Sequence, residues 1–306
     1  MSDVIQRMVQ LEQKGLSHRK IAELLLGSRS KKSTVSDALK KFRKLYSGED
    51  GPNVQILDIE TSPFQAYAWR RFKENIGQAQ VLSQTQVLCW ASKRLGSELV
   101  QFKGPGNVKK WNTDKEEKET LLQARDVLDA ADVIIAHNGR KFDVPVLRTR
   151  MLKHGISPPS PCQVIDTLEI ARSVFKFPSN KLGDIAEYLD LQGKEATGGF
   201  DLWVRCMEGD QQAWDTMETY NIRDIHVLEE VYKKLAPWSN KGFNFALHYN
   251  DGPRCPACGS SNVVQDGVIS TAVSQFPAYH CMDCGKWSRG RTNILSKEFK
   301  DTLITH

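Results

Sequence analysis

The 306-residue sequence contains no run approaching the roughly 20 consecutive apolar residues of a membrane span, so no membrane association is expected. Its opening, MSDVIQRMVQLEQKG, lacks the apolar core of a secretory signal, which points to a cytoplasmic protein. It has no internal repeat and no low-complexity tract. With 40% hydrophobic and 26% charged residues it is not collagen-like, coiled-coil or mainly disordered. Net charge is also missing from most of the chain. Residues 1–50 hold 11 Lys and Arg against 6 Asp and Glu, whereas the remaining 256 hold 31 of each. The whole excess of +5 therefore sits at the N-terminus, as expected of a segment that meets nucleic acid or another anionic surface. Cysteine is sparse outside one region. Of seven, Cys89, Cys162 and Cys206 are scattered, and the other four form two Cys-x-x-Cys pairs. In a chain without a secretory signal, such pairs indicate a metal site in preference to disulfides.

What is present divides into parts. Residues 1–46 read as a basic helical domain and 47–53 (SGEDGPN) as a polar, turn-rich linker. Residues 54–237 alternate strand-like and helix-like pieces, 238–254 form a second linker, 255–292 carry the cysteine pairs, and 293–306 are a tail. In the first part Val4, Ile5, Met8, Val9 and Leu11 recur at helical spacing, and Gly15 can end that helix. Ser17 can cap a second helix with Ile21, Leu24 and Leu25 facing inward. After GSRSKK, Ser33 or Thr34 can cap a third, which holds Val35, Leu39 and Phe42 together with Lys40, Lys41, Arg43 and Lys44. The pattern fits a helix-turn-helix whose third helix enters the major groove. A small helical bundle that docks a protein fits it too.

The middle part opens with VQILDIETSP at 54–63. Side chains two apart on a strand share a face, so Asp58 and Glu60 converge. Two buried carboxylates repel unless a cation sits between them, and a divalent metal is the natural answer. DVIIAHNGRKFDVPVLRTRML (132–152) runs from an apolar strand into a helix, with Asn138 just past the strand and Asp143 at the helix start. VIDTLEIAR (164–172) supplies a third strand, and NKLGDIAEYLDL (180–191) an amphipathic helix. In AWDTMETYNIRDIHVLEEVYKKL (213–235), a long helix, Tyr220 and Asp224 stand at i, i+4 on one face. His226, two residues on, faces elsewhere.

Taken in order, D-x-E, N-x4-D and Y-x3-D resemble the motifs of the DEDD, or DnaQ-like, 3′–5′ exonucleases of the ribonuclease H-like superfamily. The tyrosine four residues before the last aspartate is similar to the DEDDy branch; the sister branch has a histidine where this chain has Thr219. LDIETSPFQAYAW, followed by VLCWASKRLG, resembles more closely the YprB-like exonucleases of bacteria and phages. The resemblance spans about residues 54–237. It implies an α/β fold: a ribonuclease H-like mixed sheet with helices on both faces, flanked here by a small all-α N-terminal domain and a small zinc ribbon. It further implies a catalytic set of Asp58, Glu60, Asp143, Tyr220 and Asp224. Asp58 would bridge two Mg²⁺ or Mn²⁺ ions, Glu60 and Asp224 would complete the first site, and Asp143 would hold the second. Hard oxygen donors suit those ions, and two of them can clamp one phosphodiester. Tyr220 would orient the attacking water. Asp166 would support the site. Thr61 and Asn138 are candidate substrate contacts, and Phe64, Tyr67 and Trp69 could stack on bases.

The expected reaction is 3′–5′ hydrolysis of DNA, single-stranded or frayed at the 3′ end, releasing nucleoside 5′-monophosphates. RNA is an alternative substrate. A regulator with a dormant nuclease fold and a structure-specific endonuclease are the rival readings. Expected partners are nucleic acid and replication or repair proteins, in the host cytoplasm if the chain is phage-encoded.

Cys255-Pro-Ala-Cys258-Gly and Cys281-Met-Asp-Cys284-Gly stand 22 residues apart. Four thiolates at this spacing suit one tetrahedral structural Zn²⁺. The stretch between them reads as a β-hairpin, and the whole resembles a zinc ribbon. A site closed by four thiolates is structural, not catalytic. Lys286, Arg289 and Arg291 follow the last knuckle and could grip phosphates.

Overall fold

The computed structural model describes residues 4, 7–8, 11–12, 16–46, 51–191, 199–240, 242–249 and 252–304. Ile5, Val9, Gly15, most of the 47–53 linker and the side chains of residues 40–46 lie outside the described set.

Two compact units are present, divided at Gly51/Pro52, with His248 and Tyr249 grouped with the first. In the first unit, helices α1 (His18–Leu26) and α2 (Lys32–Tyr46) are joined by a single 3₁₀ turn, Arg29–Lys31. Ser17 caps α1 by accepting the Lys20 N–H, and Gly27 ends it in the left-handed conformation, φ 70°, that glycine adopts without strain. Ser28 caps the 3₁₀ turn. Met8, Ile21, Ala22, Val35 and Leu39 form the unit's core.

The second unit is built on a five-stranded sheet. Its strands are β1 (Val54–Thr61), β4 (Val87–Arg94), β5 (Val100–Lys103), β6 (Val133–Ala136) and β7 (Gln163–Asp166), in the order β5-β4-β1-β6-β7. A small ribbon of β2 (Gln65–Ala66) and β3 (Val81–Ser83) is inserted between β1 and β4. β4 runs antiparallel to β1 and β5, whereas β6 and β7 run parallel to β1. This is the mixed sheet expected. Helices α3 (Asp114–Ala130), α4 (Asp143–Lys153), α5 (Thr167–Val174), α6 (Leu182–Tyr188), α7 (Phe200–Met207) and α8 (Gln211–Leu235) surround it.

Alternation along β1 sorts the two faces. Leu57 and Ile59 pack with Ile134 against Leu121 and Leu128 of α3 and Leu147 and Met151 of α4. Val54 and Ile56 pack with Val133 and Ile135 against Ile170 of α5, Ile185 of α6 and Ile225, Leu228 and Val231 of α8. Each such fully buried aliphatic side chain contributes about 1.5–3 kcal/mol relative to exposure. The same alternation directs Asp58 and Glu60 to the α8 face, in line with Val54 and Ile56.

The cysteine module carries the expected hairpin, β8 (Val263–Ser270) with β9 (Gln275–Cys281), to which β10 (Trp287–Arg289) adds a third strand. A short helix, α9 (Lys297–Lys300), follows. The stretch 238–254, read as a linker, instead buries Phe245 in the core of the second unit, and the Phe245 N–H donates to the Pro256 carbonyl at 3.0 Å.

Candidate active site and cysteine cluster

β1 brings in Asp58 and Glu60, and α8 brings in Asp224. One carboxylate oxygen from each lies within 4.8 Å of the others. Oxygens on opposite sides of one octahedral Mg²⁺ stand about 4 Å apart, so the trio is compatible with one shared ion. Burial pushes the Asp58 carboxyl well above its ordinary range, and the charges of Glu60, Asp143 and Asp224 push the same way. Burial, with Asp224 next, pushes Glu60 up to about 8. Clustered carboxylates with these raised values are what a dication would neutralise.

Asp143 stands at the first turn of α4, buried, and burial pushes it up to about 7. β6 pairs with β1 only as far as Ile56, and Asp143 Oδ1 accepts the Ile59 N–H beyond that point at 3.2 Å. Its position depends on a tight turn before it. Asn138 is left-handed at φ 68°, and a Cβ on Gly139 would meet the Ala136 Cβ at 2.3 Å. Only glycine fits there. Asp166 holds the turn by accepting the Asn138 N–H at 2.9 Å and the Arg140 N–H at 3.1 Å, and it caps α5 through Leu168. His137 is held by Thr167 Oγ1 and the Asn180 carbonyl, each at 2.9 Å. Thr61 ends β1, just past a register shift between Glu60 and Thr61.

Tyr220 is hydrogen-bonded to Asp224, and burial beside these carboxylates raises its phenol far above the ordinary range. It therefore stays protonated at neutral pH and donates.

Two further residues belong to this site and were not read from the sequence. Asn221 is wholly buried on α8, and its Nδ2 donates to Asp58 Oδ2 at 2.6 Å. Its i, i+3 relation to Asp224 was the available signal. Trp203, on α7, hydrogen-bonds Glu60 and packs edge-on against the Tyr220 ring, with centroids 5.9 Å apart. No motif marks it. His226 lies beside Lys93, with Nδ1 3.3 Å from Nζ, and Lys93 is paired with the buried Glu229.

The four cysteines converge. Cys255 and Cys284 sulfurs are 3.6 Å apart, those of Cys258 and Cys281 are 3.7 Å apart, and all four lie within 4.8 Å of one another. Sulfurs bound at 2.3 Å to one tetrahedral Zn²⁺ would be about 3.8 Å apart, so this cluster is compatible with such a metal. The hydrogen bond between Cys255 and Cys258 lowers the Cys255 thiol and raises that of Cys258, so the pair shares a proton that a bound metal would displace. Lys286 is not free for phosphate. Its ammonium is buried and donates to the Ser239 carbonyl at 2.7 Å and the Pro237 carbonyl at 3.3 Å, fastening the module to the end of α8. The Arg289 guanidinium lies 4.3 Å over the Phe276 ring.

Residues 99–236 match a family model of the ribonuclease H superfamily. That span includes Asp143, Tyr220 and Asp224 and begins after Asp58 and Glu60. The chain is 38% identical over 158 residues to a DNA polymerase III PolC-type of Ureaplasma parvum serovar 3, covering 46% of this chain but 10% of that protein. It is also similar to the structure of the family B DNA polymerase from the hyperthermophilic archaeon Pyrobaculum calidifontis, at 14% identity and a TM-score of 0.44, over 61% of this chain and 25% of that one. The sheet and the family match give the core a ribonuclease H-like fold, with a cysteine cluster compatible with a zinc ribbon. No helix among the described residues is long and apolar enough to cross a membrane.

Proposed function

We propose that the chain is a DEDDy-type 3′–5′ exonuclease dependent on Mg²⁺ or Mn²⁺. It removes nucleoside 5′-monophosphates from single-stranded or frayed DNA ends. The observation that carries this reading is the convergence of Asp58, Glu60 and Asp224 within 4.8 Å on a ribonuclease H-like sheet. These three and Asp143 would hold the ions, which supply charge stabilisation of the phosphodiester and a more acidic water. Asn221 and Trp203 orient Asp58 and Glu60 by donating to them. Tyr220, kept protonated, positions the water by hydrogen bonding and is not its base. Thr61 at the end of β1 and Asn138 in the turn before α4 would meet the terminal nucleotide. Cys255, Cys258, Cys281 and Cys284 would bind one structural Zn²⁺. The N-terminal unit would grip nucleic acid in helix-turn-helix fashion, in the cytoplasm, and replication or repair proteins are the expected company.

The test is digestion of 5′-labelled single-stranded DNA and RNA of one sequence, by wild type and Asp58→Ala, with and without Mg²⁺ or Mn²⁺. The expected result is a ladder shortening from the 3′ end, with mononucleotide products. It should be at least 10³-fold slower in the variant, because the carboxylate acts at the reacting centre. Oligonucleotide products would replace this reading with an endonuclease. Binding without cleavage would replace it with a regulator.

A further inference from the structure

Between β1 and β4 the chain makes an excursion that the sheet does not need. It is closed at its base, where the Ser62 N–H donates to the Gln86 carbonyl and the Gln86 N–H to Ser62 Oγ, each at 2.9 Å. Beyond the base it exposes apolar rings. Trp69 is 93% exposed, Phe72 76%, Tyr67 70% and Phe64 44%. Exposing rings of this size to water is unfavourable unless something covers them.

Among the rings stand Arg70, Arg71 and Lys73, all exposed, and Glu74 is the only acidic residue between 62 and 86. That carboxylate is engaged within the excursion. It accepts the Trp69 N–H at 3.1 Å, the Arg70 N–H at 2.5 Å and Gln80 Nε2 at 3.0 Å. Gln80 Nε2 also donates to the Tyr67 carbonyl, and its Oε1 accepts the Gly77 N–H. The backbone carrying the rings is thus arranged in advance of any partner, which reduces the ordering cost of binding.

We infer that residues 64–73 form a stacking platform for single-stranded nucleic acid, which leads the strand to the carboxylates of β1. Alternating exposed rings and cations match a polymer of bases and phosphates, since rings stack on unpaired bases and cations pair with the backbone. Protein interfaces are also rich in aromatics and Arg, so a protein partner is the other outcome of the test. A duplex hides its base faces and offers no stacking. Continuity with the site supports the same occupant, because Phe64 is four residues past Glu60, at most about 14 Å along extended chain.

This inference rests on the nuclease reading, and the test separates the two. Binding is measured by fluorescence anisotropy in an Asp58→Ala background, with 20-nucleotide DNA and RNA single strands and a blunt 20-base-pair duplex. Trp69→Ala/Phe72→Ala is expected to weaken binding of single strands tenfold or more and to leave duplex binding within twofold. Arg70→Ala/Arg71→Ala/Lys73→Ala should reduce the slope of log affinity against log salt by about 2. Unchanged single-strand affinity and an unchanged slope would overturn the platform and leave a protein contact as its use. An equal loss on duplex would overturn the stacking role. The DNA and RNA arms report whether the sugar matters. Wild-type hydrolysis of a chromogenic nucleotide phosphodiester, too small to reach the platform, tests the nuclease reading separately. If it fails while the anisotropy results hold, the platform stands and the enzyme does not.

Discussion

Asp58, Glu60 and Asp143 are held where their charged forms are least welcome, and this makes stability depend on pH in a definite direction. Glu60 rises from 4.5 to about 8 and Asp143 from 3.8 to about 7 on folding. In this window the folded chain binds more protons than the unfolded one, so stability is present at low pH and is lost as pH rises through the folded values. Without Mg²⁺ or Mn²⁺, and with zinc retained, the melting temperature is expected to fall between about pH 5 and pH 8. Mg²⁺ should raise it more at pH 8 than at pH 5, because only deprotonated carboxylates bind the ion well. Melting curves over that range check both, and an equal Mg²⁺ effect at the two ends would contradict the account. At this scale the sequence was informative where chemistry is tied to spacing. Asp58 and Glu60 share a strand face, and Tyr220 and Asp224 share a helix face. Trp203 was not legible, and Asn221 only through its i, i+3 relation to Asp224, since a buried amide and an indole are common core residues. Their roles arise from packing between α7, α8 and β1, which spacing within one element does not encode.

At the scale of elements, β1, β6, β7 and α8 lie where the periodicity placed them, because each is a long or strongly apolar run with one side buried. The excursion at 62–86 was less legible. Its exposed arrangement depends on the contacts of Glu74 and Gln80, which no motif marks. The cysteine module was legible as a hairpin flanked by two cysteine pairs but not as a prop for α8, because the contacts of Lys286 and Phe245 are long-range in the fold. They carry a prediction. Such a module has little core of its own, so a metal held by its four cysteines would supply folding energy. Stripping zinc, or making Cys281→Ser, should release the Lys286 clamp and lower the melting temperature of the whole second unit by about 5 °C or more. Activity should fall in parallel, even with Mg²⁺ in excess. Calorimetry beside a zinc-release assay checks this, and full activity in a zinc-free protein would refute it.

Across the whole molecule, charge and chemistry are segregated. The excess of basic residues lies in 1–50, the carboxylates lie in 54–237, and the two belong to separate compact units. A chain starting at Pro52 is therefore expected to retain Mg²⁺-dependent hydrolysis of the chromogenic phosphodiester. It should bind a 20-nucleotide strand about tenfold or more weaker at low salt, with a shallower salt dependence. Anisotropy titrations at several salt concentrations measure this, and an unchanged slope would remove the N-terminal unit from nucleic-acid binding. Within the second unit the parts are joined through α8. Asp224 sits near its middle, and Tyr232, whose phenol feels the charges of Cys255, Cys258 and Cys284, sits toward its end. Those eight residues of helix make a lever of about 12 Å. A tilt of about 5° at the cysteine end would carry the Asp224 carboxylate about 1 Å sideways, enough to spoil a catalytic constellation. Loss of a metal shared by the four sulfurs is therefore expected to misplace a carboxylate two helical turns away.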